Sequence, residues 1–455
     1  MYISLVIIVF LVIFFLYLYH INYAMSGTPE EALKVSPDRW TEKEMRKTYR
    51  RISDHPIDFT KHLPRKQERR YTVVGGSGLV GGSIVLQLLA RGQPPESIRI
   101  IDFRQPYRDD MLTGPVTKVS FIHADISSAH STQVAFSEPW SPSVSTLPLT
   151  VFHTAAVIRP AERSKLIYNR CSAVNVTGTI NVLAAARKAG ADIFIATASS
   201  FIALRPVDFW IAPWTRWPVR FFQSFDESDF DQPQRPHEDY FGNYAVSKAE
   251  AERLVCSANQ ENFRTGCIRP ANGVYGTKHD QFIGASLNEK TIFTWMENFI
   301  QNFVSAQNIS LAHLLFESAL LTVPFASSPA GRTFNISDPN PPICFRDIYN
   351  LLSTLAVTPF HITYLPPVLM LLLSYFIEAY CLLIAQFPVL QAVFKEPSGR
   401  LQLLQPAVFT AATHIVVSDA AARLPVVQGG LGYQGVCTTL EGMCQQVWEW
   451  NREHE

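Results

Sequence analysis

The stretch "YTVVGGSGLVGGSIVLQLLARG", residues 71–92, decides the fold. Residues of strand character, Tyr71–Val74, run straight into a glycine-rich turn, and the turn into an apolar run of helical period closed by Gly92. Gly75, Gly78 and Gly81 have the spacing of a phosphate-binding strand–turn–helix. In such a unit the first glycine turns the chain sharply. The second lets backbone N–H groups approach a pyrophosphate at the positive end of the helix, and the third lets helix and strand pack closely. A purely structural glycine turn is the competing reading, and Asp102 weighs against it. It lies 21 residues beyond Gly81, at the end of the next strand-like run, "SIRIIDF". A carboxylate there accepts hydrogen bonds from the adenosine ribose hydroxyls and repels a 2′-phosphate, which favours NAD over NADP. Arg104, two residues on, is the one feature that could hold such a phosphate.

Outward from this unit the chain alternates short strands with helices. "VSFIHADI", "LTVFHTAAV" and "DIFIATASSF" read as further strands, and "VNVTGTINVLAAARKAG" as a helix ending at Gly190. Strands separated by helices of this length imply right-handed crossovers and a parallel sheet covered on both faces. The fold class is therefore α/β, a Rossmann-type doubly wound sheet over residues 71–276, with a smaller C-terminal substrate lobe over 277–455.

Composition narrows the function. The chain has 455 residues, with 39 Lys+Arg against 39 Asp+Glu, so no global field recruits nucleic acid. Its seven cysteines contain no CxxC pair and imply neither a disulfide framework nor a metal site. Residues Tyr2–Tyr19 form an uncharged run long enough to cross a bilayer, and nothing basic precedes it. An uncleaved membrane anchor over 1–24 is the reading, with a signal peptide as the alternative. Residues 25–70 carry 12 Lys/Arg against 8 Asp/Glu. They read either as a basic juxtamembrane linker or as an ordinary charged helix in "PDRWTEKEMRKTYRRI". Basic residues after the span keep the rest of the chain cytoplasmic by the positive-inside rule. On that side the sequons at Asn175, Asn308 and Asn335 have no meaning.

A second constellation carries the chemistry. In "YFGNYAVSKAEAERLV", Tyr244 and Lys248 stand four apart on one helix face. An ammonium beside a phenol favours the phenolate and is expected to lower its pKa, making Tyr244 a general acid/base. Upstream, "ATASSF" ends a strand where a hydroxyl could hold a substrate oxygen. Ser199 is the choice, with Thr197 and Ser200 as alternatives.

Together these pieces resemble an extended short-chain dehydrogenase/reductase, and more narrowly the 3β-hydroxysteroid dehydrogenase/isomerase family. The resemblance runs from residue 71 to about 450. "VVGGSGLVG" is similar to the family's nucleotide turn, with Val74 where threonine is usual. Asp102 matches the ribose-binding acid, and Asp125 in "HADI" the acid of the segment flanking adenine. Asn175 in "VNVTGT" matches the asparagine beside the nicotinamide half, and Pro270 in "IRPANGVYG" a contact of the nicotinamide amide. "TASS" matches the family's T-S-S, except that Ala198 replaces the first serine. The resemblance implies that Tyr244 removes the proton of a secondary alcohol held by Ser199 and that hydride passes to NAD⁺. Lys248 would hold both the phenolate and the nicotinamide ribose. It further implies a sterol or triterpenoid 3β-alcohol as substrate. Loss of a C-4 carboxylate would accompany oxidation, as in the 4α-carboxysterol 3-dehydrogenases of sterol C-4 demethylation. The alternatives are a Δ5–Δ4 isomerase, a nucleotide-sugar epimerase and a non-enzymatic NAD-binding regulator.

Further expectations concern the substrate's surroundings. Arg159 in "AAVIRPAERSK" reads either as a carboxylate grip or as a solvent-facing loop residue. Residues 203–224 look like an aromatic insertion, with Trp210, Trp214 and Trp217 interleaved with Arg216 and Arg220. The apolar segment 364–390 reads as surface-embedded in membrane lipid or as a pocket wall, because Glu378 at its middle opposes a crossing. The expected location is the endoplasmic-reticulum membrane. A homodimer, or a complex with other sterol-pathway enzymes, is compatible with the sequence.

Overall fold

The structure is a computed structural model that describes residues 2–289 and 291–454. Seven parallel strands form its central sheet: Arg70–Val74 (β1), Ile98–Asp102 (β2), Ser120–His123 (β3), Leu149–His153 (β4), Ala191–Thr197 (β5), Arg264–Pro270 (β6) and Thr333–Ile336 (β7). Their spatial order is β7-β6-β5-β4-β1-β2-β3. The order reverses between β1 and β4, and an open α/β sheet binds its ligand at such a switch point. Val74 is in register with Ile101 on one side and His153 on the other, so the turn after β1 lies level with both neighbouring strand ends. Tyr71, Val73, Ile101, Val151, Phe194 and Ile195 are fully buried, as strands covered on both faces require.

One helical layer pairs Leu79–Ala90 with Ala306–Thr322, and the other groups Ala129–Ser137, Gly178–Lys188 and Asn243–Ser257. β7 and the helix Ala306–Thr322 come from beyond residue 276, so the sheet continues past the boundary that the sequence pattern suggests. The reason is topological: the chain leaves the sheet after β6 for a long excursion and returns for one short strand.

Buried ion pairs bind the layers together. Arg91 Nη1 donates to Glu317 Oε2 at 2.9 Å and its Nη2 to the Tyr71 hydroxyl at 2.8 Å, which ties both helices of the first layer to β1. On the other side Arg269 donates from Nε to Glu252 at 2.7 Å and from Nη1 to Asp229 at 2.6 Å, with Arg269 1% exposed.

A second apolar core lies beside the sheet. It gathers Leu18, Ile21 and Met25 from the first helix, Met45 and Ile52 from the helix Glu42–Asp54, Phe209 and Ile211 from the insertion, and Leu371, Met443 and Val447 from the C-terminal part. The helix Glu42–Asp54 is thus folded onto the C-terminal lobe rather than solvated. Thr41 caps the helix Glu42–Asp54, Trp40 N donates to Asp347, and Tyr49 and Gln445 hold its flanks. The first helix, Tyr2–Ser26, is exposed along Tyr2–Leu16 and then becomes part of this core. The apolar helix Pro367–Gln386 packs along it.

The three sequons are buried and hydrogen-bonded: Asn175 to Ser247, Asn308 to Asp338 and Asn335 to Ser418. None presents its amide to a glycosylating enzyme in the folded chain. All seven cysteines are free and buried.

Arg269 predicts a stability effect. Arg269→Met leaves the Glu252 carboxylate buried without its partner, and the expected loss is about 3–5 kcal/mol, read by denaturant unfolding of the full chain.

Candidate functional site

The turn after β1 is built by close approach. Gly75 has φ +83, and a Cβ there would lie 2.5 Å from the backbone nitrogen of Ala155, at the end of β4. A Cβ on Gly81 would lie 2.3 Å from the Gly75 carbonyl oxygen and 2.6 Å from Thr154 Oγ1. Gly78 differs: it begins the helix Leu79–Ala90, and a Cβ there would meet only the Gly75 oxygen, at 3.3 Å. The first and third glycines therefore serve the protein's own packing. The second leaves its side open at a helix N-terminus, where an anionic group is favoured.

Asp102 ends β2 and faces this turn. Its carboxylate accepts from Ser77 N and Arg104 N, each at 3.0 Å, so it is oriented by backbone on both sides. The Arg104 side chain is exposed. Asp125 lies in the exposed loop after β3 and accepts from Ser127 N and Oγ at 2.9 and 2.7 Å. Pro270 closes β6, in register with Ile336. These positions line the carboxyl ends of the strands, where a dinucleotide lies across such a sheet.

Asn175 sits in a wide π-type turn, Ala173–Thr177, that interrupts the helix leading into Gly178–Lys188. Such turns re-aim a side chain at functional sites. Asn175 accepts from Val157 N at 2.9 Å and donates to Val157 O at 3.0 Å and Ser247 Oγ at 2.9 Å. It fixes the strand-end loop that follows β4 to the catalytic helix.

Three hydroxyls end β5, and their surroundings separate them. Thr197 is engaged with His313 Nε2 at 2.9 Å, and Ser200 is fully buried. Ser199 Oγ accepts from Phe201 N at 3.3 Å, and of the three it is the hydroxyl that acts to lower the pKa of the Tyr244 phenol. Lys248, 7% exposed, donates from Nζ to Thr197 O at 2.7 Å. The helix Asn243–Ser257 thus presents Tyr244 and Lys248 to the end of β5, with Gly242 pressed against Glu162 O so that the chain enters the helix at this angle.

The electrostatics differ from what the spacing suggests. Burial pushes the phenol up to about 12 against the lowering effect of Ser199, and burial pushes the Lys248 ammonium down to about 8. The expectation that Lys248 lowers the phenol is corrected: the cost of desolvating the phenolate is the largest influence on Tyr244, and Lys248 is not among the groups that offset it. Lys248 points its charge at a carbonyl instead.

Arg159 donates to Glu162 Oε1 at 2.8 Å, and Arg170 donates to the same oxygen at 3.2 Å. It is a paired loop residue beside the site. Two supports were not legible from the sequence. Arg108, 2% exposed, donates to Gly78 O and Leu79 O at 3.0 and 2.7 Å and so braces the glycine turn from below. Thr154 donates to Val74 O at 3.0 Å. Only the fold brings these residues to the turn.

A glycine turn at the sheet's switch point, an acid at the end of β2 and a Ser/Tyr/Lys group at the end of β5 define an extended short-chain dehydrogenase/reductase. Residues 72–208 and 221–366, more than half of the chain, match the family described as "3-beta hydroxysteroid dehydrogenase/isomerase family". The chain belongs to that family. Among curated relatives it is similar to the human "Sterol-4-alpha-carboxylate 3-dehydrogenase, decarboxylating", 28% identical over 61% of this chain and 64% of that protein. The corresponding Schizosaccharomyces pombe protein is 28% identical over 55% of this chain and 65% of its own length. Human "3 beta-hydroxysteroid dehydrogenase type 7" is 29% identical over 47% of this chain and 52% of that protein. Each of these matches thus spans less than two thirds of the relative. Solved structures with the same fold include UDP-glucose 4-epimerase of Thermotoga maritima with UDP-glucose (TM-score 0.54, 17% identity, 85% of this chain and 99% of that one). The Thermus thermophilus UDP-glucose 4-epimerase with NAD is equally close (TM-score 0.53, 18% identity, 84% and 99%).

The glycines make separable predictions. Gly81→Ala is expected to destabilise the fold, because its Cβ meets backbone at 2.3 Å, whereas Gly78→Ala keeps the melting temperature and weakens dinucleotide binding, read by tryptophan quenching.

Proposed function

We propose that the protein is a membrane-bound NAD-dependent dehydrogenase that oxidises the 3β-hydroxyl of a sterol or triterpenoid to the 3-ketone, with loss of a C-4 carboxylate. The observation that carries this reading is the Ser199–Tyr244–Lys248 group at the end of β5, beside the switch point of the sheet, together with membership of the family. The relatives named for sterol-4α-carboxylate oxidation support the carboxylated substrate. Asp102, held by two backbone N–H groups beside the glycine turn, supports NAD over NADP.

Bound NAD⁺ supplies the hydride acceptor and a fixed positive charge beside the phenol. Every other requirement falls on the chain. Ser199 holds the alcohol oxygen next to Tyr244. Tyr244, as phenolate, takes the hydroxyl proton as the C3–H bond breaks. Lys248, anchored to Thr197 O at 2.7 Å, would hold the nicotinamide ribose and favour the phenolate. The 3-ketone then stands β to the carboxylate, so the C–CO₂ bond breaks with its electrons delocalised into the carbonyl, and the resulting enolate takes up a proton at C-4. Lys248 must stay protonated for this role, and its folded value is about 8. The expected kcat/KM profile therefore has an alkaline limb near that pH, where the Lys248 charge is lost.

An apolar seat supports a lipid substrate. Tyr17 OH donates to Ile211 O at 3.1 Å, and Trp210 Nε1 to Tyr375 OH at 3.2 Å. The first helix, the insertion and the helix Pro367–Gln386 are thereby joined. The outer face of Pro367–Gln386 and the residue after it expose Leu369, Leu373, Phe376, Tyr380, Leu383 and Phe387 at helical spacing. Glu378 instead faces inward and accepts from Arg163 at 2.7 and 2.8 Å, so the helix is seated on the catalytic domain. Tyr2–Leu16 anchors the chain in the membrane, which we assign to the endoplasmic reticulum with the catalytic domain on the cytosolic side, and the outer face of Pro367–Gln386 lies in the same lipid.

Two experiments test the reading. Detergent-solubilised protein with NAD⁺ is expected to form NADH and release CO₂ from a 4α-carboxy-3β-hydroxysterol, with Tyr244→Phe lowering kcat about 10²–10⁴-fold. NADH from a plain 3β-hydroxysterol with a conjugated enone would indicate an isomerase instead. Because the native cysteines are buried, Phe376→Cys can be dye-labelled selectively in nanodiscs. Spin-labelled acyl chains are expected to quench the dye there but not at Val427→Cys, a site 86% exposed. Equal, weak quenching at both sites would remove the helix from the lipid.

A further inference from the structure

Behind the catalytic lysine lies a small cavity between β4, β5, β6 and the catalytic helix. It is lined by His153, Thr179, Thr197, Lys248, Glu252 and Cys267, among others, and offers about 10 Å³ to the centre of a water-sized sphere. That is room for one water.

The hydrogen bonds around it assign a tautomer. Thr179 Oγ1 donates its only proton to Asn175 O at 2.6 Å. It must therefore accept at its 3.0 Å contact with His153 Nε2. His153 then carries its proton on Nε2, and burial with the nearby Lys248 charge keeps the ring neutral, down to about 3. The consequence is a bare acceptor: Nδ1 is buried with no partner among the described residues, on a side chain 4% exposed. An orphaned buried acceptor is costly, and the cavity beside it is shared with an ammonium. Lys248 Nζ has three protons, of which Thr197 O takes one.

We propose that this cavity holds a single water that accepts from Lys248 Nζ and donates to His153 Nδ1, making His153 a positioning residue for the catalytic lysine. The role as positioning residue rests on the dehydrogenase reading above; the water site does not. The other groups facing Lys248 are consistent with it. Glu252, on the same helix, is engaged by Arg269 and Thr333. Cys267, on β6, is held as the thiol by burial. Tyr244 lies on the substrate side. The water is therefore the one link from the ammonium toward β4. Through Thr179 it connects the lysine to Asn175, whose side chain sets the loop after β4.

The test has a direct and a functional arm. A structure of the full chain at water-resolving resolution is expected to show a peak within hydrogen-bonding distance of both Lys248 Nζ and His153 Nδ1; no peak overturns the proposal whatever the enzyme does. His153→Phe keeps a ring but removes the lone pair. It is expected to move the alkaline limb of kcat/KM, and of NAD⁺ binding, about one pH unit lower, because the ammonium loses a stabilising hydrogen bond. Sterol KM is expected to stay unchanged. If that variant does not fold, Thr179→Val frees the tautomer without changing shape, and a shift of the same sign is expected. A wild-type pH profile in a folded, active variant overturns the role of His153. Absence of sterol turnover in the wild type, with the peak present, overturns the dehydrogenase reading and leaves the water site standing.

Discussion

The structure depends on the contact between the turn after β1 and the end of β4. Gly75 approaches Ala155 and Thr154 so closely that no side chain fits, and Gly81 approaches Gly75 in the same way. This contact closes the helix Leu79–Ala90 onto the sheet and sets the first turn of that helix opposite the crevice between β1 and β4. Everything that follows is placed relative to this crevice: Asp102 at one edge, Asn175 and the loop after β4 at the other, and Ser199, Tyr244 and Lys248 beyond. Moving the turn outward by the width of a methyl group would separate Asp102 from Ser199, Tyr244 and Lys248.

The site itself is governed by desolvation. Tyr244 and Lys248 form a pair by sequence spacing, yet burial holds each toward its neutral form. Lys248 is buried and Tyr244 half-buried, and neither charge is settled without a third one. A cationic nicotinamide ring supplies that charge in the proposed reaction. The protein's own arrangement, a carbonyl from Thr197 on one side of the ammonium and the polar wall of His153 and Thr179 on another, keeps the amine in place meanwhile.

The parts outside the family match tell a different story from the sheet. The family match omits residues 209–220 and everything beyond 366. Trp210, in the first of these segments, meets Tyr17 of the first helix and Tyr375 of Pro367–Gln386, so three stretches far apart in the chain form one apolar body. Arg163 and Glu378 then fasten that body to the loop after β4, within a few residues of Arg159 and Glu162. The charged helix Glu42–Asp54 belongs to the same assembly. Its mixture of basic and acidic residues has the composition of a solvated linker, and only Met45 and Ile52 on one side reveal a packed face.

Local pattern determined much of this protein by itself. Strand residues followed by glycines, an acid at the end of the next strand, a Tyr–Lys pair at one helical turn and an unbroken apolar run each reflect short-range physics. Backbone φ, helical period and hydropathy act over a few residues and leave their mark in order. What only the tertiary structure decided involves residues distant in sequence. β7 joining the sheet after a long excursion, Arg108 bracing the glycine turn, Thr197 being drawn to His313, and Glu378 finding Arg163 all arise this way. The direction of the pKa shifts belongs here too. Four residues of spacing put Tyr244 and Lys248 on one helix face, but how much water surrounds them is set by β4, β5 and β6, and in this fold that desolvation is the largest influence on both.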